Sequence, residues 1–210
     1  MSGDNLPGRW GTPPPGPLSS LGAWIRGLAG ARREPVVRLP ELPAALRNSP
    51  LAVPYLVAER AGDDPRAGAA AMTAAEAGIA AAAWWVADLW AHRGLWHFER
   101  AEMGLQATRA ARRIGDLRTA AGDPGSARRY YAEAISEARD LGAEREEGLA
   151  AYGMGRAELE LGNVTAARQL ARIAVDLLER CRAPADEVAV ARELRGTEQA
   201  VTALPRQEGR

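Results

Sequence analysis

The sequence predicts an all-α protein built from antiparallel helical hairpins stacked side by side. Three observations predict it. Ala, Leu, Arg and Glu are abundant in the 210-residue chain and β-branched residues are few, a mixture that favours helices over sheets. Turn signals made of Gly, Asp, Asn and Pro recur between long runs of helix formers, which is how successive helices are punctuated. One pattern of apolar and small residues also occurs twice, 40 residues apart.

The elements follow in order. Residues 1–17 are rich in Pro and Gly and contain the run Pro13, Pro14, Pro15; such a segment buries too little apolar surface to offset its ordering entropy. Leu18, Leu21, Trp24, Ile25 and Leu28 fall at helical spacing, but Gly22, Gly27 and Gly30 weaken a helix there. Prolines at 35, 40, 43, 50 and 54 leave room only for a turn such as Pro43–Asn48. Residues 1–49 are therefore expected to form a disordered tail with a short helix, and residues 50–205 the folded domain. Within the domain, a short helix is expected over Leu51–Ala61, ended by Gly62-Asp63-Asp64-Pro65. A long helix is expected over Pro65–Arg93, stopped by Gly94, and another over Leu95–Ala121, stopped by Gly122-Asp123-Pro124. Helices over Gly125–Leu141, Ala143–Leu161, Val164–Cys181 and Ala185–Ala203 complete the chain. No stretch alternates as a strand does.

The repeat is specific. Ile114-Gly115 is followed by Gly122, Ala127, Tyr131 and Ala134; Met154-Gly155 is followed by Gly162, Ala167, Ala171 and Ala174, at the same offsets. Each position has a mechanical reason. Gly115 and Gly155 lie midway along a first helix, where a missing side chain lets a second helix approach. Gly122 and Gly162 end that helix at the turn. Ala127 and Ala167 lie where the two helices cross. A single hairpin cannot bury its apolar face alone, so copies must stack.

These spacings resemble the tetratricopeptide repeat family over roughly residues 105–182, in a long-helix variant whose 40-residue period exceeds the family's usual 34. The variant is similar to arrays in bacterial signalling regulators, where they often follow an ATPase domain; this sequence contains no Gly-x-x-x-x-Gly-Lys-Ser/Thr loop. Ala171, Arg118 and Glu158 depart from the family pattern, the last two being polar where large apolar residues are usual. Upstream, Val86-Ala87, Trp90 and Gly94 match the first half of a copy, but Gly94 to Gly122 is only 28 residues, which predicts an N-terminal hairpin that is degenerate or built differently. The resemblance implies a right-handed superhelix, an α-solenoid, whose concave face binds a protein or peptide. The family's groove positions carry over to Arg109, Arg112, Asp116 and Thr119 in one copy and to Leu149, Tyr152, Arg156 and Glu160 in the next.

Composition narrows the function classes. The 27 basic and 27 acidic residues balance, and every basic residue is Arg. Without Lys, Schiff-base catalysis, a lysine general base and a P-loop lysine are excluded. Cys181 is the single cysteine, so an internal disulfide and a zinc cluster are excluded. His92 and His97 are five residues apart with Gly94 between them, which is not metal-ligand spacing on one helix face. The cluster Arg109, Arg112, Arg113, Arg118, Arg128 and Arg129 is interleaved with acids and contains no nucleic-acid reading motif. Residues 1–17 lack a secretory pattern, and Glu76 and Asp88 interrupt the Ala-rich stretch 67–91. The expectation is a non-enzymatic, cytoplasmic, regulatory scaffold that needs no cofactor or metal and binds neither nucleic acid nor membrane. Two alternatives stand beside it. Trp84, Trp85, Trp90 and Trp96 could line a pocket for a hydrophobic ligand or signalling peptide, making the chain a sensor. The array could also be a structural module that forms a homodimer.

Overall fold

A computed structural model describes Ile25, Gly27, Leu28, Leu39 and residues 41–203. Among these residues there are helices and no strands. Helix α1 spans Ala44–Arg47, and a 3-10 turn at Pro50–Ala52 leads into α2, Val53–Ala61. Then come α3 (Asp64–Ala80), α4 (Trp84–Arg100), α5 (Gly104–Ala120), α6 (Pro124–Asp140), α7 (Glu144–Glu160) and α8 (Val164–Arg180), followed by α9 (Ala185–Ala203). The six helices α3 to α8 are each 17 residues long. Each helix from α2 to α9 packs against the next in chain order.

The two long helices expected over 65–121 are in fact three. Gly94 does not stop a helix; it is buried within α4. A Cβ there would lie 2.7 Å from Met72 Sδ and 3.3 Å from the Gly68 carbonyl oxygen, so this glycine lets α4 press against α3. The breaks lie instead at residues 81–83 and 101–103, where Ala82 (φ 52°) and Glu102 (φ 54°) adopt the left-handed conformation. Left-handed residues recur at Gly62, Ala82, Glu102, Gly122, Gly142, Gly162 and Arg182, a spacing of 20 throughout. At each turn the following amide reaches back five residues, as in Asp63 N–H to Ala58 O, Met103 N–H to Phe98 O and Ala183 N–H to Leu178 O, all at 2.9–3.0 Å. That is the Schellman closure of a helix C-terminus.

The N-terminal hairpin is consequently in register and not degenerate. Moving the repeat back by 40 residues brings Ala74-Ala75 to the place of Ile114-Gly115, and Ala87, Ala91 and Gly94 to the places of Ala127, Tyr131 and Ala134. All of these are buried. α3–α4, α5–α6 and α7–α8 are thus three equivalent hairpins, with α9 standing as the first helix of a fourth.

One continuous apolar cluster runs from Ile25 to Ala191, and alanines supply much of it. Small side chains there let helix backbones approach closely, so packing density rather than bulk supplies the contact. The tail expected at residues 1–49 lies mostly outside the described residues; of its members, Ile25, Leu28 and Leu42 are buried in this cluster.

Candidate functional site

The residues carried over as a groove lie on α5 and α7, the first helices of two successive hairpins. α5 touches α7, and α7 touches α9. On α7 the stripe Leu149, Tyr152, Arg156, Glu160 runs from half-buried to exposed. Arg156 stacks its guanidinium over the Tyr152 ring at 6.0 Å from the centroid, a cation–π contact at the outer limit of its range.

The α5 residues are differently employed. Arg109 donates from Nε to Glu146 on α7 at 2.7 Å. Arg112 donates to Asp116 at 3.1 Å and lies 3.6 Å from the same Glu146. Asp116 also accepts from the Tyr131 hydroxyl at 2.9 Å, and Arg113 pairs with Glu76 on α3 at 3.0 Å. These charges tie three successive first helices together. Thr119 is buried and turns back to donate to the Gly115 carbonyl at 3.0 Å, so it is absent from the surface. Of the three groove arginines, Arg109 and Arg112 are ion-paired within the array, whereas Arg156 is exposed and makes no ion pair with any other described residue.

The four tryptophans do not converge. Trp84 and Trp85 lie at the start of α4, and Trp85 is 63% exposed. Trp90 is buried edge-on against Tyr55, with ring centroids 5.1 Å apart. Trp96 is half-buried; Arg100 stacks 4.5 Å from its centroid. It alone of the four lines a cavity of about 410 Å3, together with Leu42, Leu56, Arg60 and Arg93. The aromatic-pocket idea therefore narrows to Trp96 with apolar neighbours and charged ones of both signs, Glu41 and Glu59 among them.

Two polar networks were not legible beforehand. His97 is buried and bridges Asp64 Oδ1 (2.7 Å, through Nδ1) and the Tyr55 hydroxyl (3.2 Å, through Nε2). The Tyr55 hydroxyl donates to Glu59 at 2.6 Å, and burial together with that carboxylate pushes its pKa far up. Burial alone pushes Arg93, beside Tyr55, downward, against the pull of Tyr55 and Glu59. His92 approaches the Asp88 carbonyl through Nδ1 and Tyr130 through Nε2, each at 2.8 Å. Both histidines lie on the single helix α4, and their partners are groups that anchor a helix, not a shared metal position.

The polar departures Arg118 and Glu158 form the second network. Arg118 on α5 reaches back to Asp88 on α4 at 2.8 Å. Glu158 on α7, fully buried, reaches back to Arg128 on α6 at 3.4 Å and accepts from Asn163 at 2.6 Å. Burial raises the Glu158 pKa, while Asn163 and Arg128 pull it back. Positions 88 and 128 are equivalent, as are 118 and 158, so the same inter-hairpin pair occurs twice with its polarity reversed. The signal was present as two polar residues at apolar positions; their partners were not.

No protein-family model matches the chain, and no curated protein matches it.

Proposed function

We propose that this chain is a cytoplasmic, non-enzymatic scaffold of the tetratricopeptide-like kind. On this reading it holds a peptide segment of another protein across α5, α7 and α9. What supports the reading is the close approach of these first helices to one another; helices that crowd their equivalents lie on the inner side of a curved stack, and their shared surface becomes a concave groove. Shallow grooves of this kind recognise an extended or helical segment through a few anchors.

One observation carries the choice of anchor. Arg109, Arg112 and Arg113 are each matched to a carboxylate of the array itself, whereas Arg156 stands exposed on Tyr152. A planar guanidinium backed by an aromatic ring suits a carboxylate-bearing segment, with Leu149 receiving an apolar neighbour. Glu160, one turn further along, would set direction by favouring a basic residue at that end.

A photoreactive phenylalanine analogue in place of Tyr152 tests this in the producing cells. It is expected to capture a discrete partner, to lose it on Arg156→Glu, and to keep it on Arg172→Glu, which alters an exposed arginine of α8. Capture that survives Arg156→Glu, or that occurs equally from position 172, overturns the reading.

A further inference from the structure

The second hairpin closes differently from the other two at the end where the first helix begins and the second helix finishes. In the first, Asp64 pairs with Arg100 at 3.2 Å. In the third, Glu144 pairs with Arg180 at 2.9 Å. The same two positions in the second hairpin hold Gly104 and Asp140. There the acid of the first helix is replaced by no side chain at all, and the arginine of the second helix is replaced by an acid. Asp140 makes no ion pair with any other described residue.

The missing lock leaves a cavity of about 340 Å3, at the lower end of the range for ligand sites, roughly 300–1,000 Å3. Its apolar wall is formed by Phe98, Met103, Ala107 and Leu141. Its charged residues are Glu99, Glu102, Glu137 and Asp140, with no basic residue among the lining. Glu137 already accepts from Thr108 at 3.2 Å, while Glu99, Glu102 and Asp140 are exposed charges at the rim. An apolar wall beneath a rim of one sign fits a side chain with an aliphatic stem and a cationic head.

We propose that this cavity receives an arginine side chain from a partner protein. Its guanidinium takes the place of the arginine that Asp140 displaced, bonded by Asp140 and Glu102, and its methylenes lie on Phe98 and Leu141. Arginine suits the site better than lysine because its planar fork serves two carboxylates at once. The site is at a hairpin end and does not use Tyr152 or Arg156, so the two surfaces are separable by mutation.

The test uses the full chain and two short peptides, N-acetyl-Leu-Arg-Leu-amide and its counterpart with citrulline, which keeps the shape and removes the charge. In amide-resolved NMR titration, the arginine peptide is expected to shift residues 102–104 and 140–142 in a saturable way, and the citrulline peptide to bind at least tenfold more weakly. The double variant Gly104→Asp, Asp140→Arg installs the lock seen in the neighbouring hairpins and should abolish binding. Leu141 can yield to the new side chain, since only its flexible end lies within 3.3–3.4 Å of a Cβ at 104. The double variant Glu102→Gln, Asp140→Asn, which changes charge without filling the cavity, should weaken binding at least tenfold. Equal binding of the citrulline peptide, no saturable shift at these amides, or undiminished binding by both double variants would overturn the proposal.

Discussion

Ala82 and Glu102 occupy left-handed turns where Gly62, Gly122, Gly142 and Gly162 stand at the equivalent places. For a residue with a Cβ that conformation costs about 1–2 kcal/mol, and the Schellman bonds that close each turn hold it in place. Nothing about alanine or glutamate announces a turn, which is why residues 65–121 read as two helices instead of three. Only the 20-residue spacing shared by the glycines points there. Ala82→Gly relieves the strain but adds freedom to the unfolded chain, worth about 0.4–1 kcal/mol in the opposite direction. The expected outcome is a net stabilisation of about 0.5 kcal/mol, read as a higher urea midpoint with an unchanged helical signal. A lower midpoint would mean that the turn is not strained in solution.

At the scale of the element, Tyr131 of α6 is the joint between two hairpins. Its ring is buried, and its hydroxyl bonds Asp116 of α5. A Cβ on Gly115 would come within 2.8 Å of the ring, and one on Gly153 of α7 would come inside its van der Waals surface. The two glycines form a slot that accepts an aromatic side chain from the helix between them. The third hairpin has Ala171 at the equivalent position, and there Gly155 meets Leu170 and Leu194 instead. Gly153→Ala overpacks the slot and should cost about 2–3 kcal/mol. Tyr131→Leu in the same chain should recover part of that loss, because a smaller side chain vacates the space. Additive losses in the double variant, measured by denaturant midpoints, would show that the two residues do not share a slot. Gly115 could be recognised from the repeat; Gly153 could not, since no second copy carries a glycine at its offset.

For the whole molecule, the reversed pairs Asp88–Arg118 and Arg128–Glu158 set which hairpins can be neighbours. Were α4 to stack on α7 in place of α5, Asp88 would meet Glu158; were α6 to stack on α5 through the same contact, Arg128 would meet Arg118. Alanine-rich surfaces are too uniform to forbid such slips by shape, so the charges supply the discrimination. Arg118→Glu places two carboxylates at a half-buried contact and should lower stability by about 2 kcal/mol. Adding Asp88→Arg restores an opposite pair and should return more than half of the loss. A double variant no better than the single one, in denaturant midpoint, would show that the pair does not discriminate neighbours.

The sequence by itself determined the helical class, the 40-residue hairpin and the small residues at its crossings, because helix propensity, turn chemistry and close approach are local demands that particular residue types meet. It also marked Arg118 and Glu158 as out of place. Only the tertiary structure decided that the period reaches back through α3 and α4, since an alanine or a glutamate can take a glycine's turn once packing holds it there. It likewise decided that Arg109 and Arg112 bind the array, that Thr119 is buried, and that the second hairpin lacks its closing ion pair. Each of those depends on which side chain from a distant helix arrives opposite, and that is a property of the stack.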